Sequence, residues 1–287
     1  MHGRQQLRAQ PAQHSTHNRF CHLAPCQNAV TQLLTCAALP VLACTAMHAA
    51  VLQGTNVGAQ LRKLYSPWQF PGALVLDLFT NTYGHERSKV CALGIEANPT
   101  HTAYLTVLNA FFKRKGYQAL VLTETAASIR PGTATFEQDP GNEAFQEWGA
   151  KLASTAHAAQ ASTDVTVPLF DLPAFISDVI RPIMQQHKWS TGSRLPVGMK
   201  IDVEGEEYAL LPALITSGGL CEMEMVYIEL HKKSFRTEAG KAVGMLLPAI
   251  EKNFQKMRVA NPRCTVNYTH VDDETYLHAD VEVPLPP

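Results

Sequence analysis

Short apolar runs recur along the chain, and several end at an acidic side chain followed by a turn. Residues 73–76 (ALVL) run into Asp77, and a polar turn closes at Gly84. Residues 90–95 (VCALGI) run into Glu96, and residues 197–201 (VGMKI) into Asp202. Runs this short, apolar throughout and bounded by turn residues, are the pattern of strands buried on both faces of a parallel sheet. Residues 118–122 and 225–231 predict two more strands, 133–136 a short one after the Pro131-Gly132 turn, and 165–170 another before a helix opening near Leu172. Between the runs the period becomes helical. Tyr104, Leu105, Leu108, Phe111 and Phe112 share a face that stops at Gly116. Tyr208, Leu211, Leu214 and Ile215 share another that stops at Gly218-Gly219. Residues 241–256 predict a further helix, 185–195 a polar loop, and 137–162 a surface insertion. Residues 264–273 and 276–284 read as a terminal hairpin. Strands alternating with helices predict an α/β domain, Rossmann-like and doubly wound, with a ligand outside the carboxyl ends of the strands.

Charge divides the chain unevenly. The 287 residues carry a formal net charge of −1, which gives no reason to expect nucleic acid. Residues 1–76 contain no acidic side chain, but do contain Arg4, Arg8, Arg19, Arg62 and Lys63. An extension over 1–64 and a folded body over 65–287 follow. The apolar stretch 29–52, broken by Thr31, Gln32, Pro40 and His48, predicts secretory entry or a membrane anchor, with cleavage near Ala46 or Ala50. Its basic, acid-free character also fits a mitochondrial or plastid leader, and a disordered extension is the third reading. Seven cysteines show no C-x-x-C spacing. Cys91, Cys221 and Cys264 read as small core residues.

Candidate chemistry gathers at the run ends. Asp77 and Glu96 stand 19 residues apart, and a carboxylate after the second strand can accept from both hydroxyls of a ribose. Two solvent-facing acids are the alternative. There is no G-x-G-x-x-G and no G-x-x-x-x-G-K-[ST], so a dinucleotide and a P-loop nucleotide are disfavoured. A nucleoside without a pyrophosphate points to S-adenosylmethionine. Lys200, Asp202 and Glu204 alternate along a strand end and would share one face. Asp202 is the first choice for a base or orienting group, with Lys200 keeping it ionised. Glu204 either joins them or caps the next helix, and Glu206 and Glu207 read as partners of that helix's dipole. Glu229 and His231 end the fifth strand, and His231 is a further candidate base. No metal site is assigned: Asp202 and Glu204 could hold a divalent ion, but no third ligand is evident.

"LVLDLFTNTYG", "LGIEANP", "TETAASIRPGTATF" and "GMKIDVEGEEYALLPALITSG" occur in that order. Together they resemble the FkbM-type family of class I methyltransferases, over residues 74–231. The last block, K-x-D-x-E-G-x-E before an amphipathic helix, is the most specific. The resemblance implies a mostly parallel seven-stranded sheet with one antiparallel strand, S-adenosylmethionine as methyl donor, and O-methylation of a hydroxyl on a small molecule, sugar or glycan. It implies that Asp77, Thr80, Asn81 and Gly84 contact the methionine end. Glu96, with Ala97 and Asn98 after it, would take the ribose, and Thr125 and Ala126 would lie near the adenine. Phe79 stands where the family has a glycine, as D-x-G. A catalytically inactive binding or scaffold domain of the same fold is therefore the alternative.

Overall fold

The computed structural model describes residues 48–137, 151–152, 165–231, 238–273 and 275. Six strands form one sheet: β1 (His48–Gln53), β2 (Val90–Ile95), β3 (Ala119–Leu122), then Val197–Ile201, Met225–Ile228 and Asn267–His270. A second sheet takes the strands between: β4 (Ala126–Ser128), β5 (Gly132–Glu137), β6 (Lys151–Leu152) and β7 (Val165–Asp171). The last three strands of the main sheet are thus β8, β9 and β10. The main sheet runs in the order β10-β9-β8-β1-β2-β3, with every pairing parallel. In order of appearance that is 3-2-1-4-5-6, the doubly wound order of Rossmann folds. Its switch point lies between β1 and β8.

Helices cover both faces. On one side pack α1 (Ala59–Tyr65), α2 (Val75–Tyr83) and α3 (Thr102–Lys115), burying Leu61, Leu64, Val75, Phe79, Leu105 and Phe112 against Ala50, Leu52 and Ala92. On the other pack α4 (Leu172–Phe175), α5 (Arg181–Thr191), α6 (Glu207–Thr216) and α7 (Glu238–Ala260), a π-helical turn joining α4 to α5. Phe175, Leu210, Leu214 and Phe254 meet Val51, Leu93, Val197 and Met199 there. Burial on both faces makes β2 apolar throughout and β8 apolar but for Lys200.

The structure redraws several sequence expectations. His48–Gln53 is the central strand, buried from Ala49 onward. Residues 48–64 therefore belong to the sheet domain and not to an extension, and residues 48–52 are not the tail of a membrane segment. The rest of that apolar stretch lies outside the described residues. Among the described residues no helix is long and apolar enough to cross a membrane. Arg62 and Lys63, counted above with the basic extension, are buried in α1. Arg62 donates to Tyr104 Oη at 2.6 Å and Gln69 Oε1 at 2.9 Å, and Lys63 Nζ pairs with Asp273 Oδ1 at 3.1 Å.

Residues 75–83, expected as a strand end and ligand loop, form α2. Val75, Phe79 and Tyr83 recur every fourth residue and bury one face, while Asp77 is exposed. Residues 185–191, expected as part of a polar loop, belong to α5, which buries Met184 and ends at the left-handed Gly192. Asn267–His270 pairs directly and in parallel with β9, and among the described residues no antiparallel seventh strand joins the main sheet. The second half of the expected hairpin lies outside the described residues. Cys221 and Cys264 are not free core thiols: they form a disulfide with a Cα–Cα separation of 4.5 Å.

Candidate functional site

Two turns meet at the switch point. After β1 the chain turns through Gly54, Thr55, Asn56 and Val57 to Gly58 before α1. Gly54 N–H and Thr55 N–H both donate to Ile95 O, which folds the turn over the end of β2. Gly54 has φ +64°, and a Cβ on it would lie 1.6 Å from Asp202 O. Glycine is thus required because the β8 turn crosses directly above. Gly94 serves the same packing from below, where a Cβ would sit 2.8 Å from Thr55 Cγ2.

Glu96 closes the floor of this crevice. Its buried carboxylate accepts from Asn56 N–H at 2.6 Å and Asn98 N–H at 2.9 Å. His101 Nδ1 lies 3.4 Å from Oε1. Thr125 N–H donates to Glu96 O, and Thr125 Oγ1 to Thr123 O. Ala97 packs with Ala126 at the edge of the second sheet. The Asn98 side chain accepts from Thr100 N–H and opens the turn into α3. Glu96, Ala97, Asn98, Thr125 and Ala126 are thereby brought together as expected. Asp77, Thr80, Asn81 and Gly84 are not among them. Thr80 Oγ1 donates to Leu76 O inside α2 and accepts from Arg87. Asp77 and Asn81 are exposed on the same helix, and Gly84 is its cap. Phe79 is wholly buried against Tyr83 and Tyr227. Sequence reasoning missed Gly54, Asn56 and Gly58, although G-x-x-x-G after a β-branched and apolar run was there to find.

Across the crevice the β8 and β9 ends assemble charge. Lys200 Nζ donates to Gly54 O at 3.2 Å and to Asp202 Oδ2, tying the two turns together. His231 Nε2 faces three carboxylates: Glu204 Oε1 at 3.3 Å, Glu229 Oε1 at 3.3 Å and Asp202 Oδ1 at 3.6 Å. Behind the ring, His231 N–H and Nδ1 reach Glu207 Oε1 at 2.8 and 3.0 Å, and Gly205 N–H donates to Glu207 Oε2 at 2.7 Å. Glu207, read from sequence as a helix-dipole partner, is fully buried and positions the histidine. Glu206 instead accepts from Ser128 Oγ at 3.1 Å. Glu204 does not cap α6. It sits in the left-handed region at φ +50°, which turns its carboxylate into the cluster.

The charges perturb one another. Burial and the neighbouring Asp202, Glu207 and Glu229 outweigh the attraction of His231 and push Glu204 up to about 7. Burial pulls His231 down, but Glu207, Glu229 and Glu204 more than offset this and push it up to about 11. Glu229 also lines a cavity of about 840 Å³ between α6, α7 and the ends of β9 and β10, walled by Tyr208, Leu230, Leu247 and Pro248.

No family model, curated protein or solved structure matches this chain.

Proposed function

We propose that the protein binds S-adenosylmethionine at the switch point and transfers its methyl group to a hydroxyl on a small molecule, sugar or glycan. The observation that carries this reading is Glu96. It is a buried carboxylate at the carboxyl end of β2, facing the turn after β1, where doubly wound folds seat a ribose. A fit to a polar ligand is supported at the neighbouring strand end. Gln53 Nε2, Gln53 Oε1 and Thr55 Oγ1 are buried with no hydrogen-bond partner among the described residues. Glu96 would hold the ribose hydroxyls, with Thr125 and Ala126 beside the base. S-adenosylmethionine, when bound, supplies an electrophilic methyl group on a sulfonium. Asp202 and Glu204 would orient the acceptor hydroxyl and receive its proton, and Lys200, paired with Asp202, would hold that carboxylate in place. The 840 Å³ cavity beside Glu229 offers a place for the acceptor's body.

Phe79 is buried in α2, and the position that a D-x-G glycine would hold after β1 falls to Gly54, whose Cβ side faces Asp202 O. Two residues before Gly54, however, the acid of that pattern is replaced by the buried Leu52. This favours, as the second reading, an inactive domain that keeps the binding crevice. The Cys221–Cys264 disulfide supports the secretory pathway, whose redox poise lets such bonds persist.

Calorimetric titration with S-adenosylhomocysteine tests the reading. Micromolar binding, weakened at least tenfold by Glu96→Gln, is expected. A folded protein that binds nothing overturns both readings. If binding holds, Asp202→Asn should spare it while abolishing methyl transfer from labelled donor into a metabolite and glycan extract. Binding without any transfer by the unaltered protein favours the inactive domain.

A further inference from the structure

The group around His231 differs from a patch of surface acids. It combines one imidazole nitrogen with carboxylates from two different strand ends, and the imidazole is held from behind. Asp202, Glu229 and His231 each place one ligand atom within 4.8 Å of the other two. None of the three is more than half exposed. Nδ1 is engaged by the wholly buried Glu207, which leaves Nε2 pointing among Asp202, Glu204 and Glu229. A carboxylate behind a histidine is the arrangement that orients metal-ligating imidazoles and fixes their tautomer.

The spacing agrees. Nε2 lies 3.3 Å from Glu229 Oε1, 3.3 Å from Glu204 Oε1 and 3.6 Å from Asp202 Oδ1. These contacts are longer than an ordinary N–H···O bond of about 2.9 Å. Ligand atoms held about 2.1 Å from a common ion stand about 3.0 Å apart in octahedral and about 3.4 Å apart in tetrahedral geometry. Asp202 divides its oxygens accordingly: Oδ2 is taken by Lys200, and Oδ1 faces His231. Four acids (Asp202, Glu204, Glu207 and Glu229) surround Lys200 and His231, and an ion bound at Nε2 would take the place of the imidazolium proton among them. Glu229 is shared with the adjoining cavity, which gives the position a route to a bound molecule.

We propose that Asp202, Glu229 and His231, with Glu204 as a fourth donor, form a binding site for a divalent transition-metal ion. One nitrogen with several carboxylate oxygens suits borderline ions such as Mn²⁺ and Zn²⁺ better than Mg²⁺ or Ca²⁺. The site rests on the fold and this cluster, and stands or falls apart from methyl transfer.

The test is titration of the metal-free full chain with Mn²⁺, followed by the loss of the free-ion electron paramagnetic resonance signal. One Mn²⁺ per chain is expected. Glu229→Gln and His231→Ala should each weaken binding at least tenfold, with Glu251→Gln, across the cavity, leaving it unchanged. Should His231→Ala fail to fold, Glu229→Gln and Asp202→Asn carry the test. Absence of both Mn²⁺ and Zn²⁺ binding by the folded protein overturns the proposal, leaving His231 as a cation paired with its carboxylates. Binding that survives Glu229→Gln and Asp202→Asn unchanged overturns it as well. Binding of S-adenosylhomocysteine without Mn²⁺ would retain the nucleoside crevice while removing this site, and the converse would retain this site alone.

Discussion

The turn from β1 into α1 and the turn from β8 into α6 lie side by side at the carboxyl edge, yet they are built from different materials. The first is made of backbone. Gly54, Asn56 and Gly58 shape it, its amide groups bond to Ile95 O and to Glu96, and its own side chains bring no charge. The second is made of carboxylates: Asp202, Glu204, Glu206 and Glu207 follow one another within six positions. They touch at one place, where Gly54 passes under Asp202 and Lys200 bonds both. The first wall is thus set by close backbone contact and the second by the pairing of charges. A backbone wall tolerates no added atoms. A charged wall tolerates changed shape but not changed charge.

The largest effect should come from forcing the two turns apart. Gly54→Ala puts a methyl group into Asp202 O, and should cost about 4 kcal/mol or prevent folding. Gly116→Ala has a similar positive φ but open space around it, and should cost about 1 kcal/mol. Equal urea midpoints for the two variants would mean that the turns do not cross as described. Next comes the charged wall. Glu207→Gln weakens a buried acceptor shared by Gly205 N–H, His231 N–H and His231 Nδ1, and should lose about 2 kcal/mol. Glu206→Gln, with Ser128 as its partner, should lose about 0.5 kcal/mol. If the two glutamates behave alike in denaturant titrations, Glu207 is only a helix-dipole partner.

The last effect is in pH. The Glu204 carboxyl is held up to about 7, against 4.5 for a free glutamate, so the folded protein holds this proton more tightly than the unfolded chain. Its contribution to stability is full below pH 4.5 and is lost as pH rises to about 7. His231 stays charged in the folded state until about 11, and its contribution is full below 6.5. Between pH 4.5 and 6.5 the difference between wild type and Glu204→Gln therefore isolates Glu204. Wild type should lose on the order of 1 kcal/mol relative to the variant over that window, after allowing for partial exposure. Parallel stability curves would place Glu204 outside the cluster.

Legibility followed burial and chain position. β2 and β8 could be read because each is a short, mainly apolar run with a carboxylate just beyond its end; Glu96 and Asp202 follow them at the carboxyl edge, whereas Glu204, expected on the extended strand end, lies in a turn at φ +50°. β1 could not be told from a leader by the same evidence. A strand buried on both faces and an apolar targeting segment are alike in composition, and the mainly apolar residues 41–47 lead directly to its first residue, His48. Residues 73–76 failed in the opposite direction. Their short apolar run suits a strand, and the helical spacing emerges only when Val75, Phe79 and Tyr83 are taken together. Glu207 was misjudged because acids in a first helical turn ordinarily face water, and nothing local marks one that faces a histidine 24 residues later.

What the sequence by itself determined is the alternation of buried strands with amphipathic helices, and hence the doubly wound architecture, and the gathering of acidic side chains just beyond the carboxyl ends of β2 and β8. Those features depend on local periodicity and on turn residues. Only the tertiary structure decided that His48–Gln53 is the central strand, that Asp77 faces solvent, that Gly54 lies beneath Asp202, and that Glu207, Glu229 and His231 share one charge system. Each of these depends on contacts between segments distant along the chain, where the sheet order sets which strand ends become neighbours.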